Sequence, residues 1–135
     1  MPYVAASVDI ATDADSVWAL VGPFGLLAEW LPGFSRVELE DGGRVRRLHA
    51  EDGSVFVERM VTFDDEGRSC SYTIVEAPLG VADHLATMRV RSLGDGSSAR
   101  VDWTAAFTST TADQDARAIM QSLFDDGLKA LAGKF

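Results

Sequence analysis

The stretch Thr111–Phe135, TADQDARAIMQSLFDDGLKALAGKF, decides how the rest of the chain must fold. Its apolar residues Ala116, Ile119, Met120, Leu123, Phe124, Leu128 and Leu131 recur at the three- and four-residue steps of an α-helical stripe. The spacing predicts a helix over about 112–133 with Ile119, Leu123 and Phe124 buried, and Thr111 with Gln114 fits a capping box at its start. Upstream, from about Val37 to Phe107, the chain reads as successive strands with no long helix between them. A sheet followed by one amphipathic helix must bury that stripe. The economical arrangement is a curved antiparallel sheet gripping the helix, with a cavity where the two do not fully close. Such an architecture points to small-molecule binding.

Working outward, Tyr3–Ile10 alternates as a first strand, with Val4, Ala6, Val8 and Ile10 on one face. Thr12 is the expected N-cap of a short helix that carries Val17, Trp18, Leu20 and Val21 and stops at Gly22-Pro23. A second short helical piece, Phe24–Trp30, ends near Pro32-Gly33. Strands then follow over about 35–40, 44–50, 54–63, 68–76, 83–92 and 98–109. Asp-Gly turns at 41–43, 51–53 and 94–96 separate several of them. The expected fold is therefore α+β: a seven-stranded antiparallel sheet around a long C-terminal helix, with two short helices after strand one, as a single domain over 1–135.

Composition limits the function. The 135 residues are 47% hydrophobic, enough for a core, and 21 acids outnumber 12 bases for a net charge of −9. That balance argues against nucleic acid, which needs a basic surface, and against anionic membrane surfaces. No apolar run approaches the roughly 18–20 residues of a membrane span, and the first residues do not read as a signal peptide. Cys70 is the only cysteine, so an intramolecular disulfide is excluded and a reducing, cytoplasmic location is expected. Its place in an alternating strand favours a buried, inert thiol. His49 and His84 are the only histidines, and no ligand-spaced pair suggests a metal. No nucleophile elbow, phosphate loop or dinucleotide fingerprint occurs, and no cofactor is expected.

The order strand, two short helices, six strands, long helix resembles the START/Bet v 1-like (SRPBCC) helix-grip superfamily. That group holds the birch-pollen allergen, lipid-transfer START domains, plant abscisic-acid receptors and small bacterial polyketide cyclase/dehydratase-like proteins, the last being the nearest in look. The residues that carry the resemblance are Ser16–Val21, Trp30-Leu31-Pro32, Gly43-Arg44 to Leu48, Glu58-Arg59-Met60, Ser71–Ile74 and Val101-Asp102-Trp103. The fold hosts binding, transport, sensing and catalysis, so it does not by itself assign a function.

Glu58 is the most notable polar residue. It lies in Val55-Phe56-Val57-Glu58-Arg59-Met60-Val61, where periodicity leaves two registers open because both faces are largely apolar. The resemblance to the receptors, in which a similar Glu-Arg-Leu segment points its glutamate into the pocket, implies Glu58 inward with Phe56 and Met60. On the strand before it, alternation leaves equally open a face with Val45, Arg47 and His49 and a face with Arg46 and Leu48. Arg47 is a candidate to pair with Glu58 or with a ligand carboxylate. His84 shares a face with Ala86, Met88 and Val90, and the resemblance matches it to a pocket position after a latch-like loop, here Pro78–Val81. It is a candidate for ligand contact or proton transfer. Apolar walls are expected from Phe56, Met60, Tyr72, Ile74, Met88, Trp103, Met120 and Phe124, with Trp30 closing the mouth.

These residues favour a cytoplasmic binder of a small hydrophobic or amphipathic molecule, aromatic, polyketide-like or lipid, working as a monomer or homodimer. A cyclase/dehydratase-type enzyme using Glu58 or His84 as acid/base is the alternative. A third class is an interaction module in which closure of the 78–81 loop creates a partner surface.

Overall fold

Seven strands are paired side by side in a computed structural model that describes residues 2–110 and 113–135, with side chains for all of these but 113–115. They are β1 (Tyr3–Ile10), β2 (Phe34–Glu40), β3 (Val45–Ala50), β4 (Val55–Asp64), β5 (Ser69–Glu76), β6 (Val81–Leu93) and β7 (Ser98–Ser109). Their order across the sheet is β1-β7-β6-β5-β4-β3-β2, and every pairing is antiparallel. Short turns explain this meander from β2 to β7, while the two short helices carry the chain from β1 at one edge to β2 at the other. The result is the helix-grip α+β fold expected from the sequence.

Bulges supply the curvature. Between β4 and β5 the register passes from Val57↔Glu76 to Glu58↔Ile74, leaving Val75 unmatched, and from Met60↔Tyr72 to Thr62↔Ser71, leaving Val61 unmatched. Val75 and Val61 are both exposed on the outer surface. An unmatched residue on one strand bends the pair locally and increases its twist. A further irregularity lies in β6 between Ala82 and Leu85, where Asp83 has a φ of 50°.

The helix α1 (Ala14–Val21) is capped by Asp13, not Thr12: its carboxylate accepts from the Ser16 N–H at 3.0 Å and from Ser16 Oγ at 2.7 Å. The aspartate sits three residues before the N–H that needs a partner, the spacing a cap requires. A 3-10 helix, Phe24–Glu29, follows after Pro23.

The long helix α2 (Asp113–Ala132) closes the concave side, burying Ala116, Met120, Phe124, Leu128 and Leu131. Ile119, expected in that set, is 53% exposed. Steps of four from Ala116 through Met120 and Phe124 to Leu128 define the buried line, and Ile119 is turned about one residue, ~100°, away from it. Leu123 is half-buried at the margin. The capping box of Thr111 and Gln114 lies outside the described residues. Two polar side chains of α2 reach the open edge of the sheet: Arg117 Nε donates to the Tyr3 carbonyl at 3.2 Å and Gln121 Nε2 to the Ala5 carbonyl at 2.9 Å. They occupy acceptors on β1 that have no neighbouring strand. Among the described residues, no helix is long and apolar enough to cross a membrane.

Candidate functional site

Between the concave sheet and α2 lies a cavity lined almost entirely by carbon. Its apolar lining is Leu27, Leu31, Phe34, Leu48, Phe56, Ile74, Leu79, Met120, Leu123 and Phe124. Its polar lining is Glu58, Tyr72, His84 and Trp103. Counted as room for the centre of a water molecule, its volume is about 20 Å³, enough for about one water. The grip is therefore nearly closed on itself, and a larger guest requires its walls to part.

Glu58 is 6% exposed and stands directly opposite Arg46 across β3 and β4. Arg46 Nε and Nη2 both approach Glu58 Oε1, at 2.8 and 2.7 Å. Its Nη1 donates to the Phe24 carbonyl at 3.3 Å. The guanidinium carbon lies 4.0 Å from the centroid of the Phe24 ring and 4.7 Å from that of the Tyr72 ring. The cation is thus met by a carboxylate and by two aromatic π-systems. Burial pushes the Glu58 carboxyl above its ordinary value, and the charge and hydrogen bonds of Arg46 offset part of that.

On β5, the Tyr72 hydroxyl accepts from Trp103 Nε1 at 3.0 Å. Burial, with the nearby Glu58 charge, holds the phenol well above its usual range, so it stays neutral. Trp103 is stacked on Phe124, with centroids 4.0 Å apart and planes 9° apart. This links the sheet floor to α2. His84, 4% exposed, sits in the irregular part of β6. The β5–β6 ladder stops at Tyr72↔Ala86, and beyond it the Ile74 N–H donates to His84 Nδ1 at 3.1 Å. An imidazole thus replaces a backbone acceptor where the strands separate. Burial lowers the His84 pKa to about 4, so the ring is neutral near pH 7. Since Nδ1 accepts, its proton is on Nε2.

A family model described as "Polyketide cyclase / dehydrase and lipid transport" matches residues 1–135. The chain belongs to that family. Among solved structures, it is 34% identical to the protein XoxI from Bacillus cereus, with a TM-score of 0.96, over 100% of this chain and 96% of that one. An uncharacterised protein from Bacillus thuringiensis is similar at 34% identity and a TM-score of 0.95, over 98% of each chain. The Zhui aromatase/cyclase of a Streptomyces species shares the fold at 22% identity and a TM-score of 0.79, over 98% of this chain and 92% of that one. No curated protein matches the chain.

Within this polyketide cyclase/dehydrase-family fold, Phe56, Glu58, Tyr72, Ile74, His84, Trp103, Met120 and Phe124 come together around the cavity. Four other residues singled out in the sequence lie elsewhere. Arg47 points to the opposite face and pairs with Glu40 at 2.8 Å, so the Arg47–Glu58 pair is not formed. The register explains why: Glu58 faces Arg46, and Arg47 faces Val57, one step out of phase. Met60 borders an outer groove with Leu39 and Phe63. Met88 is buried in the core. Trp30 is buried behind the cavity, edge-on to Trp103 at 5.6 Å between centroids. Arg46 is the residue the sequence reading missed. Leu48, two residues on, was the available signal, because an inward leucine on β3 brings Arg46 inward with it. Among the described residues, no group of three or more His, Cys, Asp or Glu side chains is placed to hold a metal ion.

Proposed function

We propose that this family member binds a small, mainly apolar molecule between the sheet and α2, and holds its polar end against the wall formed by Glu58, Tyr72 and His84. The observation that carries the reading is the buried Arg46–Glu58 pair, whose carboxylate lines a mainly apolar cavity. A charged pair is costly to keep in such a place for packing alone, since hydrophobic residues of similar volume do as well or better. A few convergent polar groups in an apolar pocket are the usual layout of a ligand site. Entry of a guest requires displacement of wall residues, and Phe34, Phe56, Ile74, Leu79, in the loop between β5 and β6, and Leu123, at the margin of α2, are the half-buried ones among them. The ligand class is aromatic, polyketide-like or lipid. The whole chain acts as one ligand-binding domain, monomeric or homodimeric, in the cytoplasm, with Cys70 as a buried free thiol. Native mass spectrometry of the purified protein tests this directly: a co-purifying small molecule supports it. A protein that stays unliganded and binds nothing from an apolar aromatic library overturns it.

A second reading is acid/base catalysis of a cyclisation or dehydration, as the family description suggests for some of its members. It is favoured by a carboxylate and a neutral imidazole, Glu58 and His84, lining one cavity. Catalysis predicts that Glu58→Gln abolishes turnover while leaving affinity nearly intact; binding alone predicts a loss of affinity with no turnover in either protein.

A further inference from the structure

The polar groups of the cavity differ in what they have left to offer. Glu58 Oε1 is engaged twice by Arg46. Trp103 Nε1–H is engaged by Tyr72 Oη. That bond uses a lone pair of the phenol oxygen and leaves its proton open, and no other hydrogen bond of Tyr72 Oη occurs among the described residues. His84 is complementary: Nδ1 is occupied by the Ile74 N–H, which leaves Nε2–H open. The two rings lie on neighbouring strands with centroids 5.9 Å apart and planes 41° apart, each 4% exposed. The cavity wall therefore carries two uncharged donors on neighbouring strands, among mainly apolar residues and in the company of the Glu58 carboxylate.

We infer that Tyr72 Oη–H and His84 Nε2–H together recognise one carbonyl oxygen, and that the preferred guest is a neutral ketone on an apolar, aromatic body. The inference rests on the cavity reading above and names the chemistry of its guest. A carbonyl oxygen has two lone pairs and accepts two donors at once. A pure hydrocarbon would leave both buried donors unmet, which costs binding. A carboxylate is disfavoured for a different reason. The Arg46 guanidinium is already taken up by Glu58, so a second anion would be buried without a counter-charge. Both donors also remain uncharged near pH 7, because burial raises the phenol and lowers the imidazole to about 4.

Three probes of one shape separate these cases: 2-acetylnaphthalene, 2-ethylnaphthalene and 2-naphthoate, titrated by quenching of tryptophan fluorescence. The ketone should bind tightest, by roughly 10-fold over the hydrocarbon for two hydrogen bonds, with the naphthoate weakest. Tyr72→Phe and His84→Asn should each shrink the ketone-over-hydrocarbon ratio by roughly 3-fold. Asparagine can offer an oxygen to the Ile74 N–H, and its shorter side chain holds the remaining NH2 nearer the backbone than the Nε2 donor it replaces. Tyr72→Phe strands the Trp103 N–H and is the variant at risk of misfolding. A second measurement needs no variant: the carbonyl resonance of ¹³C-labelled 2-acetylnaphthalene should move downfield on binding, as a doubly hydrogen-bonded ketone does. Equal affinity for ketone and hydrocarbon, a preference that survives His84→Asn unchanged, or a carbonyl resonance typical of aprotic solvent overturns the donor pair while the cavity reading stands. If none of the three probes binds, both fall together.

Discussion

Arg46 and Glu58 face each other directly across β3 and β4, and both guanidinium contacts fall on a single carboxylate oxygen, at 2.8 and 2.7 Å. Removing either partner leaves the other charged, buried and unmatched. Glu58→Leu and Arg46→Met should each lower stability by about 3–5 kcal/mol, whereas Arg46→Met with Glu58→Leu should recover most or all of that. Urea denaturation of the three variants gives the coupling directly. Additive losses in the double variant would show that the pair does not act as a unit.

His84 makes stability depend on pH. The unfolded chain takes up a proton at this ring below the ordinary value of 6.5, and the native protein only near 4. Protons therefore favour unfolding in that window. The contribution is complete above 6.5 and is lost as pH falls toward 4, amounting to about 3 kcal/mol at most. Glu58 acts in the opposite sense at acid pH, because its raised carboxyl takes up a proton in the native state before it would in the unfolded one. The His84 contribution is consequently read as the difference between wild type and His84→Asn, followed by urea melts from pH 7.5 to 4.5. Parallel curves for the two proteins would contradict a neutral, buried His84.

The sequence announced the grip because the helical stripe and seven strand-like runs differ in period, and each is long enough to be read. It could not resolve the site to the residue, because facing depends on register. β3 carries cations at Arg46 and Arg47, so shifting the phase by one still places an arginine inward. Pairing with β4 fixes the choice, and that information is non-local. The bulges after Val57 and Met60 are equally invisible to alternation, because an unmatched residue changes which face its neighbours occupy only once the partner strand is in place. Ile119 fell into the apolar stripe by type but sits at its shoulder, where exposure is decided by how far the sheet reaches around α2.

Adjacent residues on α2 should respond unequally. Phe124 is 2% exposed and stacked on Trp103, so Phe124→Ala removes a ring from the centre of the grip and should cost about 3–5 kcal/mol. Leu123 is half-buried at the cavity wall, and Leu123→Ala should fall below the usual 2–5 kcal/mol range for a buried leucine, at about 1–2 kcal/mol. It should also enlarge the entrance and leave the affinity for a bulky apolar guest unchanged or higher. Equal losses of stability for the two variants would mean that Leu123 packs as fully as its neighbour.

Gly127 is the least helix-favouring residue of α2, yet replacing it should not help. Alanine in a helix interior is better than glycine by about 1 kcal/mol. Here a Cβ would stand 2.6 Å from Leu31 Cδ1 and 3.1 Å from Trp103 Cζ3. Leu31 and Trp103 are 3% and 1% exposed, and the free space beside them is the small cavity they line. Overpacking of this kind costs about 1–3 kcal/mol, which exceeds the gain in propensity. Gly127→Ala should therefore lower Tm, and because both displaced residues line the cavity, it should also weaken binding of an aromatic guest. The two effects distinguish close approach from simple helix propensity, since a propensity gain would raise Tm and leave binding alone. A rise in Tm would mean that Leu31 turns aside without disturbing Trp103, and that α2 approaches the sheet less tightly than the missing side chain implies.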